Sequence, residues 1–313
     1  MSVKTIIKVV GIGGAGGNAI DRMVQCKLSG VELIAINTDV QDLKKIRADK
    51  KLQIGKQSTG GLGAGMNPEF GKKSALESKE EITQILRGSD LVFLAAGLGG
   101  GTGSGAIPVV ADIARTQGAL VIGVVTTPFA FEGGWKTRLA EKALSELAGK
   151  LDTLLMIPND QILKISSPDT TVLSAFWQAD EVLREAVQGI SDLITKPGII
   201  NVDFADLKSI MKNSGQAVFG VGQAKGEKRM ELALQMAFHS PLLNVSPKGA
   251  RGVLFNVAGG EDLSLAEIQE AAEQIKKEVS PHAKIIFGAL YDKNLKKGEV
   301  KITVIATGFE NEI

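Results

Sequence analysis

Gly99-Gly100-Gly101-Thr102-Gly103-Ser104-Gly105 follows the apolar run Leu91–Ala96 and precedes a segment carrying apolar Ile107 and Val110. A glycine loop between a strand and a helix lets backbone N–H groups approach an anion. The helix start adds the positive end of its dipole. Thr102 and Ser104 add hydroxyl donors. The chemistry these residues suggest is phosphate binding.

A related loop stands near the start of the chain. Thr5–Val10 is a β-branched strand closed by Gly11-Ile12-Gly13-Gly14-Ala15-Gly16-Gly17, with a helical pattern from Asn18 to about Leu28. Gly11-x-Gly13-x-x-Gly16 in that setting fits a dinucleotide fingerprint, though alone it also fits a plain glycine turn. Two such cradles at the carboxyl ends of two parallel strands suit a phosphate chain held from both sides. A dehydrogenase does not need the second loop, and no G-x-x-x-x-G-K-[ST] supplies a P-loop lysine. The combination reads as a nucleoside triphosphate site of a non-Walker kind.

The same alternation continues outward. Strands are expected at Val31–Ile36, Leu91–Ala96, Leu120–Val125 and Thr153–Ile157. Helices are expected from Pro68 to about Leu86 and from Glu132 to Leu147, with a further glycine loop at Gly60–Gly65. Near-continuous apolar strands between helices imply a mostly parallel sheet covered on both faces. Val172–Thr195 carries a 3.6-residue apolar stripe through Val182, Leu183, Ala186, Val187, Ile190 and Leu193, stopped by Lys196-Pro197-Gly198. Beyond it a second, smaller α/β unit is expected, with strands at Ala217–Val221, Gly252–Val257, Ile285–Leu290 and Val300–Ala306. Its helices are expected near 206–211, 228–238 and 265–279. The charge runs Lys44–Lys51 and Lys225–Arg229 read as solvated surface.

Composition narrows the function classes. Aromatic residues at 4% argue against a stacking platform for single-stranded nucleic acid, and a net charge of +1 draws the chain to neither DNA nor an acidic membrane. Cys26 is the single cysteine, so no internal disulfide is expected. His239 and His282 lack metal-ligand spacing. The longest apolar runs are far short of the ~18 residues of a membrane span, and Met1–Val10 reads as strand rather than signal peptide. A soluble cytoplasmic protein is the expectation.

Asn201-Val202-Asp203-Phe204-Ala205-Asp206 places two carboxylates three residues apart at a helix start, where they could polarise a water. Asp203 as N-cap with Asp206 in the first turn is the plainer reading, and both can hold together.

With GGGTGSG at Gly99–Gly105 and NVDFAD at Asn201–Asp206, the chain resembles the FtsZ family, the tubulin-like GTPases of bacterial and archaeal cell division. AINTD at Ala35–Asp39, GLGAG at Gly61–Gly65 and PNDQIL at Pro158–Leu163 fall in the family's order. So do VQGISDLI at Val187–Ile194 and KITVIATGF at Lys301–Phe309, so that the likeness spans Lys8 to Phe309. The resemblance implies a Rossmann-like GTP-binding domain over 1–171, a central helix over 172–195, and a carboxy-terminal α/β domain over 196–313 that includes an acid loop at 196–206.

By the same likeness, Gly14, Ala15, Gly16, Gly17 and Asn18 would line the first nucleotide loop, and Gly101, Thr102 and Gly103 would hold the phosphates. Glu132 and Lys136 would stand at the ribose, and Asn159, Phe176 and Asp180 around the guanine. An aspartate there can accept from N1–H and the 2-amino group, which adenine does not offer. Without the likeness, Phe176 would read as a core aromatic and Asn159 as a turn residue. Asp203 and Asp206, with Asn201 in the same loop, would serve GTP bound to the next subunit of a head-to-tail filament, so that hydrolysis to GDP waits for assembly. Mg²⁺ is the implied helper.

Two departures from the family pattern bear on the site. Lys136 replaces the usual arginine after Gly133-Gly134-Trp135, losing the planar fork, and Ser104 replaces the commoner threonine. The resemblance implies the chain itself as chief partner, in filaments of the mid-cell division ring. Division adaptors are implied only for a chain carrying a tail beyond Ile313. Neither nucleic acid nor direct membrane insertion is expected. The alternatives are an NAD-dependent Rossmann oxidoreductase, which leaves Gly99–Gly105 and Asn201–Asp206 unexplained, and a family scaffold that hydrolyses poorly.

Overall fold

The computed structural model describes residues 5–167, 169–196, 198–240, 249–293 and 295–309. Met1–Lys4 of the expected first strand and Pro197 of the expected helix stop lie outside the described residues. The chain divides into two compact units, residues 1–188 and 189–313, with the division inside a helix.

In the first unit β1 (Ile7–Ile12) leads to α1 (Gly13–Gln25), β2 (Glu32–Asn37), α2 (Val40–Lys45) and β3 (Lys50–Gln53). The one-turn α3 (Lys56–Thr59), then α4 (Pro68–Glu77) and α5 (Lys79–Leu86), precede β4 (Leu91–Gly97) and α6 (Gly101–Thr116). β5 (Leu120–Thr127), α7 (Gly134–Leu147), β6 (Thr153–Pro158), α8 (Asn159–Ile165) and α9 (Val172–Thr195) follow. The strands lie in the order β3-β2-β1-β4-β5-β6, all parallel. Strand order reverses between β1 and β4, and in an open parallel sheet ligands bind at such a reversal, beyond the carboxyl ends of the strands.

β1 is buried along its whole length, as are all of β4 but Gly97 and all of β5 but Thr127. Ile12, Ile34 and Val92 pack in one core with Ile82, Ile107 and Val110 of the covering helices. Each such fully buried aliphatic side chain contributes roughly 1.5–3 kcal/mol over its exposed state.

Several expected boundaries shift. The single helix expected from Pro68 to Leu86 is broken at Ser78, whose hydroxyl accepts from the Gly55 N–H at 3.2 Å. The run Lys44–Lys51 is not merely surface: it ends α2 and begins β3, an edge strand whose exposed Lys50 and Lys51 discourage pairing with another sheet. Both phosphate-type loops are shorter than their glycine runs, because α1 begins at Gly13 and α6 at Gly101.

α9 covers the span its apolar stripe predicts. In the second unit α10 (Phe204–Met211), β7 (Gly215–Lys225), α11 (Arg229–Phe238), β8 (Gly252–Gly259), α12 (Leu265–Glu278), β9 (Lys284–Tyr291) and β10 (Glu299–Thr307) follow. β10 pairs antiparallel with β7 and β8, and β8 pairs parallel with β9. α11 rides on β7 at Gly220 and Gly222, where any Cβ would collide with the Ala237 and Ala233 carbonyls. The second charge run also departs from expectation. Arg229 is 6% exposed, and its guanidinium donates to Asp262 at 2.6 Å and to both carboxylate oxygens of Glu267 at 2.6 and 2.9 Å. Among the described residues no helix is long and apolar enough to cross a membrane.

Candidate nucleotide site

A cleft of about 270 Å³ opens at the strand-order reversal, bounded by the ends of β1 (Ile12), β4 (Gly97) and β5 (Thr126). Two helices begin at its floor. Gly13, at φ +73°, turns the chain from β1 into α1, and Gly100 precedes α6; neither helix has a side-chain cap. The first-turn amides of both helices therefore lack intrahelical partners and present the positive ends of two dipoles to one space.

Of the residues expected in the first loop, Gly14 and Ala15 line the cleft. Gly16 and Gly17 do not: a Cβ on Gly16 would collide with the Ala95 carbonyl, and one on Gly17 would press on Ile46 at 3.3 Å. Gly16 seats α1 on the sheet, and Gly17 seats it against the residue that ends α2. Asn18 is exposed on α1 and also stays outside the cleft wall.

Gly101, Thr102 and Gly103, expected to hold the phosphates, line the cleft, and the two glycines are also needed for packing. A Cβ on Gly101 would stand 2.6 Å from the Gly65 carbonyl oxygen. On Gly103 it would collide with the Gly97 carbonyl, and on Gly105 with that of Pro68. Ser104 is not a cleft donor; its hydroxyl faces inward and accepts from the Gly99 N–H at 2.8 Å. The Thr102 hydroxyl lies 2.6 Å from that of Thr38.

The opposite end of the cleft is built by Glu132, Lys136, Asn159, Phe176 and Asp180. Glu132 accepts from the Phe129 N–H at 3.0 Å and from Lys136 Nζ at 2.7 Å, so the lysine neutralises the carboxylate one helical turn away. Phe176 is 38% exposed, so it is not a core aromatic; its ring stands edge-on to Phe129 at 5.2 Å. Asn159 opens α8 rather than sitting in a turn. It is buried, and its Oδ1 has no hydrogen-bond partner. Such an atom on a cleft wall calls for a partner from a ligand. Burial pushes the Asp180 carboxyl up to about 7, opposed by Arg22 at 3.8 Å. Arg22 is held in turn over the Trp177 ring at 4.0 Å.

Sequence reasoning missed Arg22 and Thr38. Neither lies in a glycine loop, and each acts by meeting a side chain from another element, which no local spacing reveals.

Asp203, Asp206 and Asn201 belong to the second unit. Asp203 caps α10 by accepting the Asp206 N–H at 2.7 Å, so the plain capping reading holds. Asn201 accepts from the Gly198 N–H at 2.7 Å. The Asp206 carboxylate is exposed and makes no hydrogen bond or ion pair among the described residues.

Two helix starts without side-chain caps open on one cleft whose far end holds a largely buried carboxyl, an arrangement suited to an α/β nucleotide-binding protein. The chain belongs to the tubulin/FtsZ family and is a GTPase. Residues 6–167 match the tubulin/FtsZ GTPase domain and residues 215–310 the FtsZ carboxy-terminal domain. An empty FtsZ dimer from M. jannaschii is 47% identical, with 98% of this chain and 89% of that one covered at a TM-score of 0.94. A GTPγS-bound protofilament of CetZ2 from Haloferax volcanii is 22% identical, covering 98% of this chain and 94% of that one at a TM-score of 0.82. A GDP-bound CetZ1 monomer from the same organism, 21% identical, covers 98% and 95% at 0.83; at these identities the likeness is one of fold. Membership in a GTPase family replaces the oxidoreductase alternative and implies guanine nucleotide binding.

Proposed function

We propose that this GTPase polymerises head to tail and hydrolyses GTP at the junction between copies, with Asp203 and Asp206 of one copy serving the nucleotide held by the next. The observation that carries this reading is a mismatch of chemistry. The carboxylates of the cleft are Glu132, tied to Lys136, and Asp180, at the base end. Among the described residues that line it, the phosphate end offers amides and the Thr102 hydroxyl but no acid to orient a water. Asp206 is an exposed carboxylate with no task of its own within the described residues.

In this mechanism the amides of α1 and α6 fix the triphosphate, and the neighbour's acids align a water with the γ-phosphorus. Rate comes from positioning and charge stabilisation. Gly14, Ala15, Gly101, Thr102 and Gly103 serve the phosphates, Glu132 and Lys136 the ribose, and Asn159, Phe176 and Asp180 the guanine. Gly16, Gly17 and Asn18 act from behind this wall.

Among the described residues no three carboxylate, histidine or cysteine side chains cluster to hold a metal. A Mg²⁺ ion would be carried chiefly by the nucleotide's own oxygens, where it would neutralise phosphate charge. The FtsZ dimer supports self-association. The cellular setting that follows is a cytoplasmic filament at the mid-cell division ring, with adaptors engaged through a tail where a chain carries one.

The test is GTP turnover per subunit against protein concentration, with light scattering on the same samples. Turnover near zero that rises with scattering above a threshold is the expected result. Constant turnover per subunit without scattering would mean a self-contained active site, and a polymer without turnover would favour the scaffold alternative.

A further inference from the structure

We infer that Thr38 is a positioning residue for the phosphate site: its buried hydroxyl fixes the direction in which the Thr102 proton points. The inference rests on the reading of Thr102 as a phosphate ligand and adds a residue standing behind it.

The argument is a count of protons. The two hydroxyl oxygens lie 2.6 Å apart, and either could donate on distance alone. A hydroxyl carries one proton and two lone pairs. Thr38 is 0% exposed and Thr102 9%, and of the two only Thr102 lines the cleft. Neither hydroxyl has another hydrogen-bond partner among the described residues.

If Thr102 donated inward, the Thr38 proton would be stranded in a dry interior, with the full desolvation penalty of a buried unpaired donor. Donation from Thr38 to Thr102 leaves no such orphan. The remaining proton, on Thr102, is then directed to the cleft, where a phosphate oxygen can only accept. Receiving a hydrogen bond also strengthens Thr102 as a donor.

The backbone holds Thr38 ready for this. It follows β2 directly, and Asn37 Oδ1 accepts both the Thr38 N–H at 2.8 Å and the Asp39 N–H at 3.3 Å. Asn37 Nδ2 donates to Asp42 at 3.0 Å, so the turn is fixed by its own side chains before any ligand arrives. Thr38 touches no nucleotide; its effect passes through Thr102.

The experiment is GTP titration of the nucleotide-free full chain by calorimetry, using Thr38→Val, Thr38→Ser, Thr102→Val and the double Thr38→Val/Thr102→Val variant. Valine keeps the shape and removes the proton, while serine keeps the proton. Thr38→Val should weaken GTP about ten-fold, Thr38→Ser should stay within about two-fold of the parent, and Thr38→Val should add less than about two-fold in the Thr102→Val background. Equal losses from Thr38→Val in both backgrounds would mean that it acts by packing, and the inference falls. Unchanged affinity in Thr38→Val beside a weakened Thr102→Val overturns the relay alone. Parent-like affinity in Thr102→Val overturns the phosphate reading of Thr102 and the relay with it. If Thr38→Val does not fold, Thr38→Cys, a weak donor of similar size, takes its place and should weaken GTP by more than the serine variant and by less than about ten-fold, whereas parent-like affinity would overturn the relay.

Discussion

The Arg22 guanidinium stands 3.8 Å from the Asp180 carboxylate and 4.0 Å from the centre of the Trp177 ring, yet burial still holds the Asp180 carboxyl up at about 7. The arginine offsets part of the desolvation cost and leaves the rest for a ligand. On the proposed assignment of Asp180 to the base, guanine supplies two N–H donors to the charged form, so binding should lower this pKa and release a proton. GTP affinity is therefore expected to be full above pH 7 and to weaken as pH falls below it, measured by calorimetry in buffers of differing ionisation enthalpy. Asp180→Asn should abolish that dependence and weaken GTP by about a hundred-fold.

The same carboxyl affects folding with the opposite sense. Its folded pKa lies above the ordinary 3.8, so the empty protein loses stability as pH rises from about 4 to 7, and the cost is fully present above 7. That cost is on the order of 4 kcal/mol at most. Asp180→Asn should raise the Tm of the empty protein at pH 8 and change it little at pH 4, which thermal unfolding at the two pH values would check.

Lys136 neutralises Glu132 on the cleft wall at 2.7 Å. Lys136→Met should leave an unpaired carboxylate on the proposed ribose wall and weaken binding of the polyanionic GTP about ten-fold. Adding Glu132→Gln should recover most of that loss, because the repulsion goes with the charge. Simple additivity of the two losses would mean that each residue touches the nucleotide independently.

On the proposed mechanism Asp203 has a catalytic task beside its capping one, and the two can be separated. Its side chain caps α10, and asparagine caps about as well. Asp203→Asn should keep the parent Tm and lose turnover, whereas Asp203→Ala should lose turnover and about 1 kcal/mol of stability. Asp206→Ala should leave GTP binding by isolated subunits unchanged while abolishing hydrolysis in assembled ones. Impaired binding by the isolated subunit would contradict action on a neighbour.

In the second unit, Arg229 joins Asp262 and Glu267, and the guanidinium holds the Glu267 carboxyl down at about 2 from an ordinary 4.5. The contribution of Glu267 to stability is present above pH 4.5 and lost as pH falls through 2. Arg229→Leu should cost roughly 2–3 kcal/mol at neutral pH, less than a fully buried pair because both acids are partly exposed. The loss should shrink in acid, as denaturant titrations at pH 7 and pH 3 would reveal.

What was legible in the sequence follows physical range. The alternation of apolar strands and helices and the stripe of α9 are local periodicities, and they marked those elements to within a few residues. Both glycine runs pointed to the cleft for the same reason. The break at Ser78, the burial of Arg229 and the pairing of Thr38 with Thr102 depend on partners 20 or more residues away, such as Gly55 for Ser78. Lys44–Lys51 misled because an edge strand is exposed on both chemistry and pattern, and only its ladder to β2 reveals it.

The glycine heptad has a further consequence. At Gly101, Gly103 and Gly105 a methyl group would meet main-chain oxygens of the protein itself, of Gly65, Gly97 and Pro68, before any ligand is considered. A descendant that no longer split GTP would still need those three glycines to close its fold. The signature is therefore a witness to ancestry and architecture rather than to turnover. On the proposed mechanism, relatives that carry it would be better sorted into active and inactive lineages by the solvent-facing carboxylate of Asp206.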